Sequence, residues 1–548
     1  MNENIQGLSA VGSVNAMQPS AAMLENMRST VPQLLDASAA QYGDKTLIDF
    51  FNDDRTLSYQ ELAIESRKLA DSLVRLGVRK RTHVALMMPN CREWVVAWMA
   101  LARIGAVMTA VNPYYKPAEL SFVLNDSDAQ LLIAHEQCIP TFDAMDAVPE
   151  LIAIGGVITT GDAVTGDRHD FDRLVAEGSS RFEPPVPPES ADLLAIQYTS
   201  GTTGFPKGCM QTHQYWRQVS TLAAEAYGQG IERILVTFPL YYFDPQAQIM
   251  MALQSGMTVY LANRHSLSEF MGWVKKYKIQ TCSMTPQASN NMPVSDDDAQ
   301  TDLRHIIGYY YRGDEHFEAE KRFGVPVREL FGMTEIGIGT LVPLDATDMV
   351  GRDSCGIAAP CREFTIRDDE GQPVAVGEPG EIWFRGPGLF LGYYKRTKAN
   401  RESFVGEWFR SGDLARQDER GYVWIIGRLK EMIKRSGENI ASIEVESTLR
   451  LHPDVVEAGV LGVPDPKRKE EVKAYIVLAP GKTQEDVTPE MLTAHCRELL
   501  ADFKVPRYWA YVSDFPRTAT NKIAKQRLID ATEDLRADAY DRVEGIWR

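Results

Sequence analysis

Leu193-Leu194-Ala195-Ile196-Gln197-Tyr198 runs straight into Thr199-Ser200-Gly201-Thr202-Thr203-Gly204-Phe205-Pro206-Lys207-Gly208, and the two halves of the stretch differ in kind. The first is a short apolar run suited to a buried strand. The second crowds glycine, hydroxyls and one lysine into a loop. Small residues there let the backbone approach a ligand closely, successive N–H groups and hydroxyls donate to phosphate oxygens, and Lys207 supplies positive charge. The order is not the Gly-x-x-x-x-Gly-Lys-Ser/Thr of a Walker loop. A plain surface turn is the competing reading, and a hydroxyl run this dense directly after a buried strand is uncommon in turns.

Upstream, Ser58 to Leu76 predicts a helix opened by an N-cap serine with Glu61 at the capping-box spacing. His83 to Met88 follows as a strand, Glu93 to Arg103 as a helix, and Ala106 to Val111 as a strand ending at Asn112-Pro113. This β-α-β order returns with the apolar runs Leu131 to Ala134, Arg233 to Phe238, Thr258 to Leu261 and Thr281 to Met284, and it predicts layered α/β structure with mostly parallel sheets. From Cys361 to Arg385 the texture turns β-rich, with a strand to Arg367, a turn at Asp368 to Gly371 and a strand from Ile382. After Gly427 the order is helix (Ile443 to Arg450), strand (Val455 to Val463), strand (Val472 to Leu478) and helix (Pro489 to Phe503). The expected fold is therefore α/β: a large N-terminal domain of layered α/β subdomains plus a β-rich subdomain, followed by a small mobile α+β C-terminal domain. The boundaries read as a loose leader over 1–27, the large domain over 28–428 and the small domain over 429–548, with Pro184 to Pro188 as an interior linker.

At 548 residues, 44% apolar and 24% charged, the chain has room for more than one core. A formal net charge of -17 disfavours general attraction to nucleic acid or anionic lipid, so an anionic ligand needs local groups. The cysteines, seven in all, show no metal-ligand spacing and read as thiols in a reducing cytoplasm. No signal peptide or membrane span is legible, the apolar run Val95 to Ala102 being short and bounded by Glu93 and Arg103.

The Tyr198-to-Gly208 loop resembles the signature of the adenylate-forming superfamily of acyl-CoA ligases, adenylation domains and beetle luciferases. Further stretches resemble that family's motifs in its order: Phe331-Gly332-Met333-Thr334-Glu335, Trp408-Phe409-Arg410-Ser411-Gly412-Asp413, Gly427 to Asn439, and Pro516 to Lys525. The nearest likeness within it is to crotonobetaine/carnitine-CoA ligases, through Lys275-Lys276-Tyr277, Met284-Thr285-Pro286-Gln287, Asp244-x-Gln246 and Met432 to Asn439. The resemblance implies ATP, Mg2+ and coenzyme A as cofactor and co-substrates. It implies that Thr199, Ser200, Gly201, Thr202, Thr203, Gly204 and Lys207 cradle phosphate, joined by Phe331, Gly332 and Met333 at the nucleotide. Thr334 would contact phosphate and Glu335 the metal. Asp413 would accept from both ribose hydroxyls, with Arg428 beside it, because an ionised carboxylate is acceptor-only. Lys430 would be the hinge, Ser436, Gly437 and Glu438 would line the CoA tunnel, and Lys522, with Thr334 and Glu335, would be catalytic. As isolated peptides these stretches also read as a strand end, a turn, a basic helix end and a surface lysine; their weight lies in their company.

The implied reaction joins a carboxylic acid to ATP, releasing pyrophosphate, and then passes the acyl group to CoA. Tyr242, Asp244, Gln246, Tyr309 and Tyr310 are the expected acyl-pocket residues. With Tyr241 and Tyr311 they form a candidate aromatic cage for a quaternary ammonium, as a short polar or betaine-like acid would need. The competing expectation is that these rings point to opposite faces of a strand. Two departures stand out: Tyr242 replaces a common histidine, and Asn521 replaces the usual glycine before the lysine. A carrier-loading adenylation enzyme, an aryl- or fatty-acid-CoA ligase, a binding-only relative and a homodimer remain open at this point.

Overall fold

The computed structural model describes residues 20–161, 164–199, 206–436, 438–517 and 522–548, with only the backbone of Ala22, Lys430, Glu438 and Asn439. Two large sheets hold the strands from Thr46 to Ala358. The nine-stranded sheet runs Ile357–Ala358, Gly337–Leu341, Val327–Met333, His305–Gly308, Thr281–Met284, Arg233–Val236, Thr258–Leu261, Thr46–Phe50 and Arg55–Ser58, parallel from Val327–Met333 to Thr46–Phe50. The seven-stranded sheet runs His169–Asp170, Val157–Thr159, Leu131–Ala134, His83–Met87, Val107–Val111, Leu193–Thr199 and Lys207–Thr212, with only its last pairing antiparallel.

Helices fill the space between these sheets. Arg92–Ile104 is buried almost throughout, which accounts for the run Val95 to Ala102, while Glu93 and Arg103 near its ends pair with Arg55 and Asp36. Trp94, Trp98 and Trp216 meet there edge to face, with centroids 5.4 Å apart at each contact, joining this helix to His213–Tyr227. Tyr59–Arg75 begins as its capping box predicts: the Glu61 N–H donates to Ser58 Oγ (3.1 Å) and the Ser58 N–H to Glu61 Oε2 (2.7 Å). Among the described residues no helix is long and apolar enough to cross a membrane.

A five-stranded antiparallel sheet follows, built from Glu363–Arg367, Gly380–Arg385, Phe404–Val405, Trp408–Gln417 and Val423–Arg428. The last sheet holds Met432–Arg435, Glu438–Ala441, Val455–Asp465, Lys469–Leu478, Tyr508–Tyr511, Tyr540–Asp541 and Ile546–Trp547, with helices Ser442–Arg450 and Pro489–Leu499 packed on it. This is the expected mixed α/β architecture.

Four expectations change. The leader is not loose to residue 27: Ser20 caps a helix over Ala21–Asn26, and Met23 and Met27, one turn apart, are buried against the His213–Tyr227 helix. The Pro184 to Pro188 segment is no boundary, since the strands on both sides of it belong to the seven-stranded sheet and Lys80 Nζ ties down the Pro187 carbonyl (3.2 Å). The helix from Pro489 stops at Leu499, where Leu500 turns extended and lets Phe503 and Val505 reach the small core. The stretch after Gly427 contains an unforeseen hairpin, Met432–Arg435 with Glu438–Ala441, in which buried Ile433 and Ile440 sit opposite each other.

Candidate active site

The strand Leu193–Thr199 and the strand Lys207–Thr212 form a hairpin whose register sets Thr199 opposite Lys207. Ser200, Gly201, Thr202, Thr203 and Gly204 lie outside the described residues. Thr199 Oγ1 donates to the Lys207 carbonyl (3.4 Å). Lys207 Nζ stands 4.6 Å from the centre of the Tyr393 ring, and the Tyr393 hydroxyl donates to Glu335 Oε1 (2.7 Å). Lys207, Tyr393 and Glu335 are therefore one cluster at the mouth of the loop.

Phe331, Gly332 and Met333 end the strand Val327–Met333. A side chain at Gly332 would put Cβ 2.7 Å from the Gly337 carbonyl oxygen, so only glycine fits this close crossing. Phe331 is half-buried and stacks on Phe384 (5.9 Å). The turn beyond is held from both sides. The Thr334 carbonyl accepts from Gln211 Nε2 and the Tyr215 hydroxyl, 3.0 Å each. Arg362, fully enclosed, donates to the carbonyls of Ile336 (2.6 Å) and Gly388 (3.1 Å) and to Gln218 Oε1 (2.8 Å). Burial with no carboxylate among these partners lowers its guanidinium to about 10. Tyr393, Tyr215, Gln211 and Arg362 were not legible in sequence, because each reaches the site from an element distant along the chain.

Asp413 and Arg428 face each other across the strands Trp408–Gln417 and Val423–Arg428. Their opposition depends on a bulge: Ala415 pairs with Ile425, but Leu414 pairs with Gly427, so Ile426 is the extra residue. Arg428 Nε lies 2.9 Å from Asp413 Oδ1. Asp413 Oδ2 is buried and, among the described residues, has no hydrogen-bond partner, an arrangement that costs free energy unless a ligand donates to it. Burial lifts this carboxyl to about 6 against the pull of Arg428; Glu335 also raises it and Lys522 lowers it. Lys522 is itself exposed, one residue before the Arg517–Ile523 bridge closes its loop. Despite burial, which lowers it, Arg428 is raised by Asp413, Glu431, Glu335 and Tyr310. The structure thus places Asp413, Arg428, Glu335 and Lys522 in one electrostatic neighbourhood.

Lys430 lies in the short turn Leu429–Glu431 that joins the five-stranded sheet to the last one. Ser436 is exposed in the left-handed region (φ 54) and its N–H donates to the Arg468 carbonyl (2.9 Å). Gly437 lies outside the described residues, and Glu438 is described by its backbone alone, as the first residue of its strand.

The tyrosine cage does not assemble as expected. Tyr309 donates to Asp244 Oδ1 (2.5 Å) and Gln248 Nε2 to Oδ2 (2.7 Å), so neighbours occupy both carboxylate oxygens. Asp244 keeps some exposure, yet desolvation lifts it to about 6. The chain leaves its strand at Gly308, and Tyr310 takes a left-handed turn (φ 68) that sends successive rings apart. Tyr310 is 65% exposed and acts on Arg428, whereas Tyr311 is buried beside His316. Gln246 points into the core, donating to the Leu240 carbonyl (2.8 Å) and Gln197 Oε1 (3.2 Å), away from Asp244. Tyr242 remains with Tyr241, their rings 4.4 Å apart.

Known proteins share this arrangement of domains. Residues 35–394 match the AMP-binding enzyme family and residues 444–522 the AMP-binding enzyme C-terminal domain. A crotonobetaine/carnitine-CoA ligase of Salmonella typhi is 31% identical over 514 residues, covering 90% of this chain and 98% of its own. The o-succinylbenzoate CoA synthetase of Bacillus subtilis, solved with its acyl-adenylate intermediate, superposes with a TM-score of 0.79 at 26% identity, covering 92% of this chain and 99% of its own. ATP-bound MatB from Rhodopseudomonas palustris gives 0.83 at 25% identity over 92% and 99%. The matched family spans most of the chain, and the protein belongs to the AMP-binding enzymes.

Proposed function

We propose that this AMP-forming acyl-CoA ligase activates a short polar or betaine-like carboxylic acid, with Lys522 as the adenylating residue and Lys430 as the pivot of a small domain running from 429 to 548. The observation that carries the proposal is the buried Oδ2 of Asp413, unpartnered among the described residues, beside Arg428 and within the field of Lys522. An acceptor of that kind suits a ribose hydroxyl.

A carboxylate is a poor electrophile and must be activated. Its oxygen attacks the α-phosphorus of ATP, the bond to pyrophosphate breaks, and an acyl-adenylate remains. The Lys522 ammonium bridges the two anions, a role of position and charge. Thr334 and Lys207, with Thr199 and the loop that follows it, line the phosphate side. Glu335 is one buried carboxylate next to Thr334, which fits Mg2+ arriving with the nucleotide, since that ion commonly takes one or two protein carboxylates and completes its shell from phosphates and water. When bound, the ion offsets charge on the departing pyrophosphate. In the second step the CoA sulfur attacks the acyl carbon and AMP leaves. Rotation at Lys430 withdraws Lys522 and brings Ser436, Gly437 and Glu438 to the thioester site.

The likeness to the crotonobetaine/carnitine-CoA ligase of Salmonella typhi supports the betaine-like acid. Asp244, held by Tyr309, supplies the counter-charge, and Tyr241 and Tyr242 supply aromatic faces. The free thiols, all but Cys361 buried, suit a reducing cytoplasm.

The test is ATP–pyrophosphate exchange followed by CoA titration, using carnitine, a short fatty acid and a benzoate side by side. Lys522→Ala abolishes exchange and spares thioester formation from supplied adenylate. Equal loss of both half-reactions refutes the two-conformation reading, and indifference to the cationic acid refutes the substrate.

A further inference from the structure

The small domain contains a second lysine, largely enclosed, three residues beyond the exposed Lys522. Lys525 Nζ lies 2.7 Å from Glu431 Oε2, 2.6 Å from Glu446 Oε1 and 3.0 Å from Ser442 Oγ. An ammonium has three N–H donors, and these three oxygens use all of them. The side chain is 17% exposed, and its partners come from separate elements: Glu431 from the turn that holds Lys430, Glu446 and Ser442 from the helix Ser442–Arg450. Glu446 Oε1 also accepts from the Val460 N–H (2.8 Å), which fixes it against the adjoining strand. Enclosure disfavours the ammonium, but Glu446 and then Glu431 hold it charged.

We infer that Lys525 is a positioning residue for adenylation, fastening the loop that carries Lys522 to the inter-domain turn through Glu431 and Glu446. The inference rests on the role proposed for Lys522. Between the two lysines the chain is short and already guided: Ile523 bridges Arg517, and the Ala524 N–H donates to the Pro516 carbonyl (2.7 Å). Arg517 in turn is gripped by Glu457 (2.6 Å). One end of the loop is therefore fixed to the Glu457 strand and the other to the turn beside the pivot. Because Glu431 and Lys525 both lie after Lys430, the pair travels with the small domain, and the pivot is confined to the residues before Glu431. The direction in which Lys522 projects is then set relative to the axis of rotation.

The test measures both half-reactions of the full-length protein for wild type, Lys522→Ala, Lys525→Met, Lys525→Arg and Glu431→Gln, with ATP and whichever of the three acids above the wild type exchanges best. Lys525→Met should lower kcat for pyrophosphate exchange about a hundredfold, the usual scale for a reacting group misplaced by an ångström, with KM for ATP within about twofold. Thioester formation from supplied adenylate should stay within about twofold of wild type, and Lys525→Arg should recover most of the lost exchange. Glu431→Gln leaves the Glu446 contact in place and should show the same split at smaller size, which decides the matter if Lys525→Met does not fold. Unchanged exchange in both Lys525→Met and Glu431→Gln, or equal loss of the two half-reactions in the folded variants, overturns the inference. A wild type without exchange, or a fully active Lys522→Ala, overturns instead the function on which it rests.

Discussion

Replacing Asp413 by asparagine keeps the shape of the side chain and removes its charge. In the unliganded protein Oδ1 takes Arg428 at 2.9 Å and Oδ2 takes no partner among the described residues, so the cost falls where a ligand would complete the site. A hydrogen bond to a charged group contributes about 1.5–3 kcal/mol, and about 1.4 kcal/mol is a factor of ten. Losing one ribose hydroxyl bond should therefore raise KM for ATP roughly 10- to 150-fold. Pyrophosphate exchange against ATP concentration reads this directly, and 2′-deoxyATP provides the control: wild type should discriminate against it and Asp413→Asn should not. The pH dependence has a definite sign. Asp413 titrates at about 6 in the free protein, and only its ionised form is a pure acceptor, so affinity for ATP should fall as pH drops through that value in wild type and stay flat in the variant. An Asp413→Asn protein with wild-type KM and undiminished preference for the 2′-hydroxyl would refute the ribose assignment.

Tyr309→Phe removes the 2.5 Å donor to Asp244, so the carboxyl should titrate above its present value of about 6; kcat/KM for the acid should fall roughly tenfold, the scale of one hydrogen bond to a charged group, while KM for ATP holds, and an unchanged acid profile would remove Asp244 from the acyl pocket. Lys473, 1% exposed, donates to the carbonyls of Leu535 (2.9 Å) and Ala537 (2.8 Å), and burial lowers it from 10.5 to about 8. Between those two values the unfolded chain binds a proton that the folded chain does not, so stability from this group rises with pH across the window and is lost as pH falls through about 8. Thermal unfolding of wild type against Lys473→Met should show that slope only in wild type, and parallel curves would refute it.

How far the sequence could be read follows from the range of the forces involved. The strand Leu131–Ala134 was legible to the residue because a parallel strand buried on both faces is a continuous apolar run closed by turn residues. The Tyr59–Arg75 helix announced itself through a local hydrogen-bonding box. The hairpin after Gly427 was hidden, since its residues look basic and, among those described, its burial rests on Ile433 and Ile440. At the site, the motifs led to Asp413, Arg428, Glu335 and Lys522 through family likeness. The grip of Tyr393 on Glu335 and of Arg362 on the Ile336 carbonyl spans distant segments and leaves no periodic trace. The tyrosine run suggested a cage that strand alternation argued against, and the rings do part, through a single left-handed residue at 310 rather than through alternation.

The extra residue at Ile426 carries a consequence for how this enzyme tolerates change. Were the bulge ironed out with every residue kept, the hairpin would close in uniform register and every ladder bond could still form, but Gly427 would then stand opposite Asp413 and the guanidinium would be carried one step past it. The product would be a well-folded sheet with a mute nucleotide site, so a register slip in this β-ribbon is filtered by chemistry before it is filtered by stability.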